Sequence, residues 1–227
     1  LKSFLDKVSA IVKEERKASK TPGLMVGIIH ENEVVYSYCS DWANMEKQIP
    51  IDEDTCFQFG SVTKILTSTA LLQWYEKEKF ELDDSVNDYI PEGMGKIIKK
   101  KKDWPDVTFR HLLTHTAGIG ELRRGRDIFK HGFRLISYDN EPIPPLDEFH
   151  KLNIYTTAPA GQKYSYSNIG FSLLGYLVSV FSGKSFRDYL IENIFNPLGM
   201  NHSDLFRTER ILEHEAIGYH MKKGKLI

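Results

Sequence analysis

Phe59-Gly60-Ser61-Val62-Thr63-Lys64 runs directly into Ile65-Leu66-Thr67-Ser68-Thr69-Ala70-Leu71-Leu72. The spacing predicts a helix from Ser61 to about Lys79, buried through Ile65, Leu66, Leu71, Leu72 and Trp74. Helix positions i and i+3 share a face, so Ser61 and Lys64 point into one site. Ser61 falls in the first turn, where unpaired N–H groups and the helix dipole favour negative charge. A serine hydroxyl becomes a good nucleophile once a base takes its proton. A lysine amine desolvated against an apolar wall has a lowered pKa and can be that base at neutral pH. Serine is also a favoured helix cap and lysine an ordinary surface residue. The tetrapeptide alone therefore does not decide between chemistry and structure.

Working outward, residues 2–18 carry Phe4, Leu5, Val8, Ile11 and Val12 at the spacing of an amphipathic helix. Thr21-Pro22-Gly23 breaks it. Residues 24–29 read as a buried strand and 34–38 as a second, joined by a turn at Glu31-Asn32 into an antiparallel hairpin. After the Ser61 helix, residues 82–86 begin a short helix that Pro91 stops, and Thr108 starts another. Residues 118–145 are irregular and rich in Gly and Pro, the character of a lid or binding loop. Asn168 to Phe181 is an apolar helix ended by Ser182-Gly183, and Ser185 to Phe195 is a further helix stopped by Pro197. A two-stranded hairpin is marginal alone, so the pattern calls for more strands or a covering helix.

The 227 residues carry a net charge of -1, which gives no electrostatic footprint for nucleic acid or an acidic membrane. Lys99 to Lys102 reads as a solvated loop. The most apolar stretch, Ile169 to Phe181, is too short and too interrupted to span a bilayer. Cys39 and Cys56 fit either a disulfide or two thiols. His111 and His115 stand at i, i+4, but no glutamate of the His-Glu-x-x-His kind lies between them, so neither a metal nor another cofactor is expected. His115 reads as a structural residue bonded within its own loop. The sequence assigns no compartment.

A second constellation is Tyr164-Ser165-Tyr166-Ser167-Asn168, between a Pro-Ala-Gly turn and the apolar helix. A tyrosine near a lysine ammonium favours its phenolate and can pass protons between nucleophile and leaving group. Asn168 can donate to a substrate carbonyl and accept from the lysine. The same tyrosine is equally at home packing its ring in a core.

Ser61-x-x-Lys64 followed by Tyr166-Ser167-Asn168 resembles the penicillin-recognising serine hydrolases: class C beta-lactamases, D-alanyl-D-alanine carboxypeptidases of that lineage and related esterases and peptidases. Residues 79–86, Leu112-Leu113-Thr114-His115-Thr116-Ala117-Gly118 and Asn196-Pro197-Leu198-Gly199-Met200 are similar to linking segments of that family. The resemblance covers roughly residues 20 to 220 and implies an α+β fold: an antiparallel sheet flanked by helices, with an inserted all-helical subdomain. Residues 1–60 would be the N-terminal part of the sheet domain, 61–200 the helical subdomain with the motifs, and 201–227 the return towards the sheet.

It also implies roles. Ser61 would form an acyl-enzyme from a beta-lactam, a D-amino-acid peptide or a small ester. Lys64 would be the base or would hold Tyr166 as phenolate. Tyr166 would protonate the leaving group and then activate water. Asn168 would bind substrate and lysine, and the Ser61 N–H would supply half of an oxyanion hole. The family's third motif, Lys-Thr-Gly or His-x-Gly on a late strand, has no counterpart, since Lys223-Gly224-Lys225 does not fit it. The expectation is a chain without its C-terminal strands, whose sheet is completed by a further segment or by self-association. The alternative is a non-catalytic ligand-binding or scaffold member of the same fold. Arg123, Arg124 and Arg126 offer charge for a substrate carboxylate or simply to solvent.

Overall fold

The computed structural model describes residues 1–19, 21–120, 153–222 and 225–226. Residues 121–152, which hold most of the stretch read from the sequence as a lid or binding loop together with Arg123, Arg124 and Arg126, lie outside the described residues, as do Lys223 and Gly224. The chain divides into two compact units, residues 1–58 with 202–227, and residues 59–201.

In the first unit, α1 (Lys2–Ser19) is followed by the hairpin of β1 (Gly23–His30) and β2 (Glu33–Asn44). The strands pair antiparallel from Gly23↔Asp41 to His30↔Glu33, with a bulge at Ile28/Ile29. Glu31 and Asn32 both have positive φ, 50° and 64°, as a two-residue turn matched to the strand twist requires. β2 runs six residues past the expected strand end at Tyr38, and this extension pairs with β3 (Ile49–Pro50) as a third strand. Pro50, which has no N–H, sits on that edge strand. The returning chain is tied on by backbone bonds from Cys56 N–H to His214 C=O (2.8 Å) and from Ile217 N–H to Ala43 C=O (2.8 Å). Helix α1 half-buries Leu5, Val8, Val12 and Arg16 on one face, and none of its residues is fully buried. Arg16 reaches β2 through a 2.7 Å ion pair with Asp41. Cys39 and Cys56 are free thiols, each pushed above the ordinary thiol pKa chiefly by burial.

The second unit is helical. A 3₁₀ turn at Gly60–Val62 leads into α2 (Thr63–Tyr75). A second 3₁₀ turn covers Val86–Tyr89, where the sequence predicts a short helix. β4 (Ile98–Lys99) and β5 (Ile154–Tyr155) form a two-residue parallel pair that periodicity cannot show. Between them lies α3 (Phe109–Leu113), begun by a capping box in which Thr108 and His111 satisfy each other's backbone N–H groups. α4 (Asn168–Ser182) is the core helix, with Leu173, Leu174, Leu177 and Val178 at 0% exposure. Each such side chain contributes roughly 1.5–3 kcal/mol by leaving water. Gly183, at φ 67°, ends it, and α5 (Phe186–Leu190) follows and continues into a π-helical turn at Ile191–Phe195.

Two expectations for α2 need correction. It ends at Tyr75 rather than near Lys79, because Glu78 turns left-handed (φ 55°) and Lys79 N–H closes on Trp74 C=O. Of its large residues only Leu71 is fully buried, Leu66 and Trp74 are half-buried, and Ile65 and Leu72 are exposed. Thr67, Ala70 and Leu71 are buried, whereas Ile65 is 66% exposed. The helix is apolar on several faces, so hydrophobicity alone does not mark which one is buried. Phe80 stacks on Phe109 and Phe181 to close the other side of the core (ring centroids 4.0 and 5.6 Å). Back in the first unit, α6 (Glu209–His214) precedes a small hairpin of β6 (Met221–Lys222) with β7 (Lys225–Leu226). No single helix among the described residues is long and apolar enough to cross a membrane.

Candidate active site

Ser61 lies in the 3₁₀ turn ahead of α2, not in the first turn of the α-helix, and it makes no capping bond. Gly60 before it has φ 52° with open space around the missing Cβ, so glycine is needed there for backbone conformation rather than for room. Lys64 is the second residue of α2, and the i, i+3 spacing across the junction brings it alongside Ser61. Lys64 Nζ donates to Ser61 Oγ at 3.2 Å.

The second arm comes from the start of α4. Ser167, 3% exposed, is its N-cap, and its Oγ accepts the Gly170 N–H at 3.1 Å. The cap holds Tyr166 just outside the helix and Asn168 at its first position. From there Tyr166 OH donates to Ser61 Oγ at 2.6 Å. Asn168 Oδ1 accepts from Lys64 Nζ at 2.6 Å. The Lys64 ammonium also lies 4.7 Å from the centre of the Tyr166 ring and 5.6 Å from that of Phe171. The four residues singled out in the sequence are thus brought together, joined by three hydrogen bonds. Two of these bonds converge on Ser61 Oγ and engage both of its lone pairs. A recess of about 230 Å³ opens beside Lys64 and Asn168, between Thr63 and Thr67 of α2 and Phe171 and Ser172 of α4.

One contributor escaped the sequence reading. His115 bonds not only within its own turn but to the second arm, its Nδ1 accepting the Ser167 N–H at 3.1 Å and its carbonyl the Ser165 N–H at 2.7 Å. Its ring lies 4.4 Å from that of Tyr166. Burial, and then the Lys64 charge, push its pKa below the ordinary 6.5. A contact across 52 residues leaves no local signal in the sequence.

The chain is thus an α+β protein of beta-lactamase-like fold that gathers a serine, a lysine, a tyrosine and an asparagine in one place. The family model named Beta-lactamase matches residues 8–226, and the chain belongs to that family, whose members include serine hydrolases. The D-aminopeptidase of Gluconobacter oxydans is 28% identical over 96% of this chain and 39% of its own length. The octameric penicillin-binding protein homologue from Pyrococcus abyssi is 30% identical, with a TM-score of 0.77 over 98% of this chain and 49% of its own. A class C beta-lactamase is 26% identical, with a TM-score of 0.74 over 98% of this chain and 56% of its own. The chain therefore spans about half the length of the relatives it matches.

Proposed function

We propose that the chain carries the nucleophile and proton-transfer groups of a serine hydrolase acting through an acyl-enzyme on Ser61. The observation that carries this reading is the convergence of the Tyr166 phenol and the Lys64 amine on one hydroxyl oxygen, at 2.6 and 3.2 Å. Once the Lys64–Tyr166 pair has given one proton to solvent, leaving a phenolate beside the ammonium or a phenol beside the free amine, it takes the Ser61 proton as Oγ bonds to the substrate carbonyl carbon. The Ser61 N–H stabilises the oxyanion that forms. The pair then returns the proton, through Tyr166, to the leaving nitrogen or oxygen as its bond to carbon breaks. Water, deprotonated by the same phenolate, attacks the ester carbon and frees Ser61. Asn168 holds Lys64 through Oδ1 and offers its amide N–H groups to the substrate. The substrate class is a beta-lactam, a D-amino-acid peptide or a small ester, and the octameric state of the Pyrococcus abyssi homologue supports self-association here.

Intact-mass measurement after incubation with a fluorophosphonate or a penicillin tests the reading. A single adduct on Ser61 is expected, absent in Ser61→Ala. In Lys64→Ala it should form more slowly by about 10²–10⁴-fold, the usual worth of a general base. A folded full chain that takes no adduct from either reagent favours a non-catalytic member of the fold.

A further inference from the structure

Tyr166 is held by a residue that touches no reacting atom. At the end of α3 the chain leaves the helix through His115, whose φ of 57° is left-handed, uncommon for a residue with a side chain. Its carbonyl accepts the Ser165 N–H and its Nδ1 accepts the Ser167 N–H, so one residue binds both chain neighbours of Tyr166. The imidazole lies 4.4 Å from the Tyr166 ring, tilted by 35°, and 5.0 Å from that of Phe171. The titratable groups facing it are Lys64 from α2 and Tyr164 and Tyr166 from the second arm, Tyr164 at 5.7 Å.

The direction of one bond fixes the protonation state. A ring nitrogen that accepts an N–H carries a lone pair, so the imidazole is neutral with its proton on Nε2. A proton added at Nδ1 turns the acceptor into a donor pointed at another donor. It also places a second positive charge near Lys64.

We propose that His115 is a positioning residue for the hydrolytic site: its neutral ring clamps residues 165–167 so that the Tyr166 phenol rests on Ser61, and protonation at Nδ1 opens the clamp. The inference rests on the reading of Ser61 as nucleophile. Burial and the Lys64 charge keep the ring neutral at pH 7. The clamp is therefore closed at neutral pH and opens only in acid, at a pH lower than that at which an ordinary histidine titrates.

The test is the rate of Ser61 phosphonylation, followed by intact mass at saturating fluorophosphonate from pH 4.5 to 8.5, in the full chain and two variants. His115→Gly accepts the left-handed backbone but removes the ring. It should lower the maximal rate by roughly 10²-fold at pH 8, as for a misplaced catalytic group, with the half-saturating concentration unchanged. His115→Asn tolerates the same backbone and offers an amide oxygen to Ser167, but it does not titrate. It should restore most of that rate and lose the acid limb of the wild-type profile. An unchanged acid limb in His115→Asn overturns the proposal, as does a wild-type rate in His115→Gly. Where His115→Gly fails to fold, the His115→Asn profile decides alone. No adduct in the wild type at any pH would instead sink the hydrolase reading. The clamp is then tested by NMR: the Ser167 amide shift should titrate with the His115 ring, and a Ser167 amide that ignores that titration overturns it.

Discussion

The serine–lysine arm and the tyrosine–asparagine arm meet at one oxygen but are built by different means. Ser61 and Lys64 are three residues apart on one continuous turn, so local backbone geometry sets their separation. Tyr166 reaches Ser61 Oγ and Asn168 reaches Lys64 Nζ from more than 100 residues away, at the entry to α4, held by the Ser167 cap and by His115. The first arm therefore tolerates change elsewhere in the fold. The second depends on a turn after α3, which binds the backbone on both sides of Tyr166, and on a cap before α4, which starts the helix. Histidine recurs in that support. His111 accepts the Thr108 N–H through Nδ1 at 3.2 Å, as His115 accepts that of Ser167. Burial lowers both pKa values, and both bonds require a neutral ring.

The largest test removes the end of the second arm and leaves its support intact. Tyr166→Phe deletes the hydroxyl 2.6 Å from Ser61 Oγ but keeps the ring against His115 and Lys64. Phosphonylation of Ser61 should slow by about 10²–10⁴-fold, the range for a lost proton-transfer group. The thermal midpoint should stay near wild type, because the phenol is only half-buried. An unchanged rate would mean that Lys64 serves Ser61 alone and that the second arm only binds.

The next test compares two left-handed glycines, one in each arm's support. Gly118, at φ 68°, follows the His115 turn, and its carbonyl accepts both the N–H and the hydroxyl of Thr157. A Cβ there would run into the Ala158 carbonyl. Gly60, at φ 52°, precedes Ser61 with nothing within 4 Å. Gly118→Ala should cost roughly 2–4 kcal/mol, backbone strain plus overpacking. Gly60→Ala should cost only the strain, roughly 1–2 kcal/mol. Denaturant midpoints at constant slope measure the difference. Equal losses would mean that the two turns are equally forgiving.

These contrasts also explain what the sequence could disclose. The Ser61–Lys64 pairing, the Glu31-Asn32 hairpin and the Thr108 helix start are local patterns, written within two to four residues. The apolar run of α4 is long enough to read as a helix and ends on a glycine. In α2 the buried set differs from the hydrophobic one at most positions. Hydrophobicity nominates Ile65, Leu66, Leu71, Leu72 and Trp74, but only Leu71 is fully buried, beside the small Thr67 and Ala70, while Ile65 and Leu72 stay exposed. Nothing near Tyr75 announced the helix end, since the left-handed residue that turns the chain is Glu78 rather than glycine. The β4–β5 pair is too short for any alternation to register. His115 was visible as a residue but not as a clamp, because what it clamps lies in another segment.

The smallest test separates the two supports of the second arm. Ser167→Ala removes the oxygen that accepts the Gly170 N–H, which leaves a buried donor at the first turn of α4. The expected loss is about 1 kcal/mol, as for other N-cap deletions. The Ser167 backbone N–H is untouched, so its bond to His115 survives the substitution. Ser167→Ala should therefore lower the denaturation midpoint, keep most of the phosphonylation rate and retain the wild-type acid limb. His115→Asn should do the reverse at the acid limb. If Ser167→Ala instead abolishes that limb, the cap and not the imidazole places Tyr166, and the two supports exchange roles.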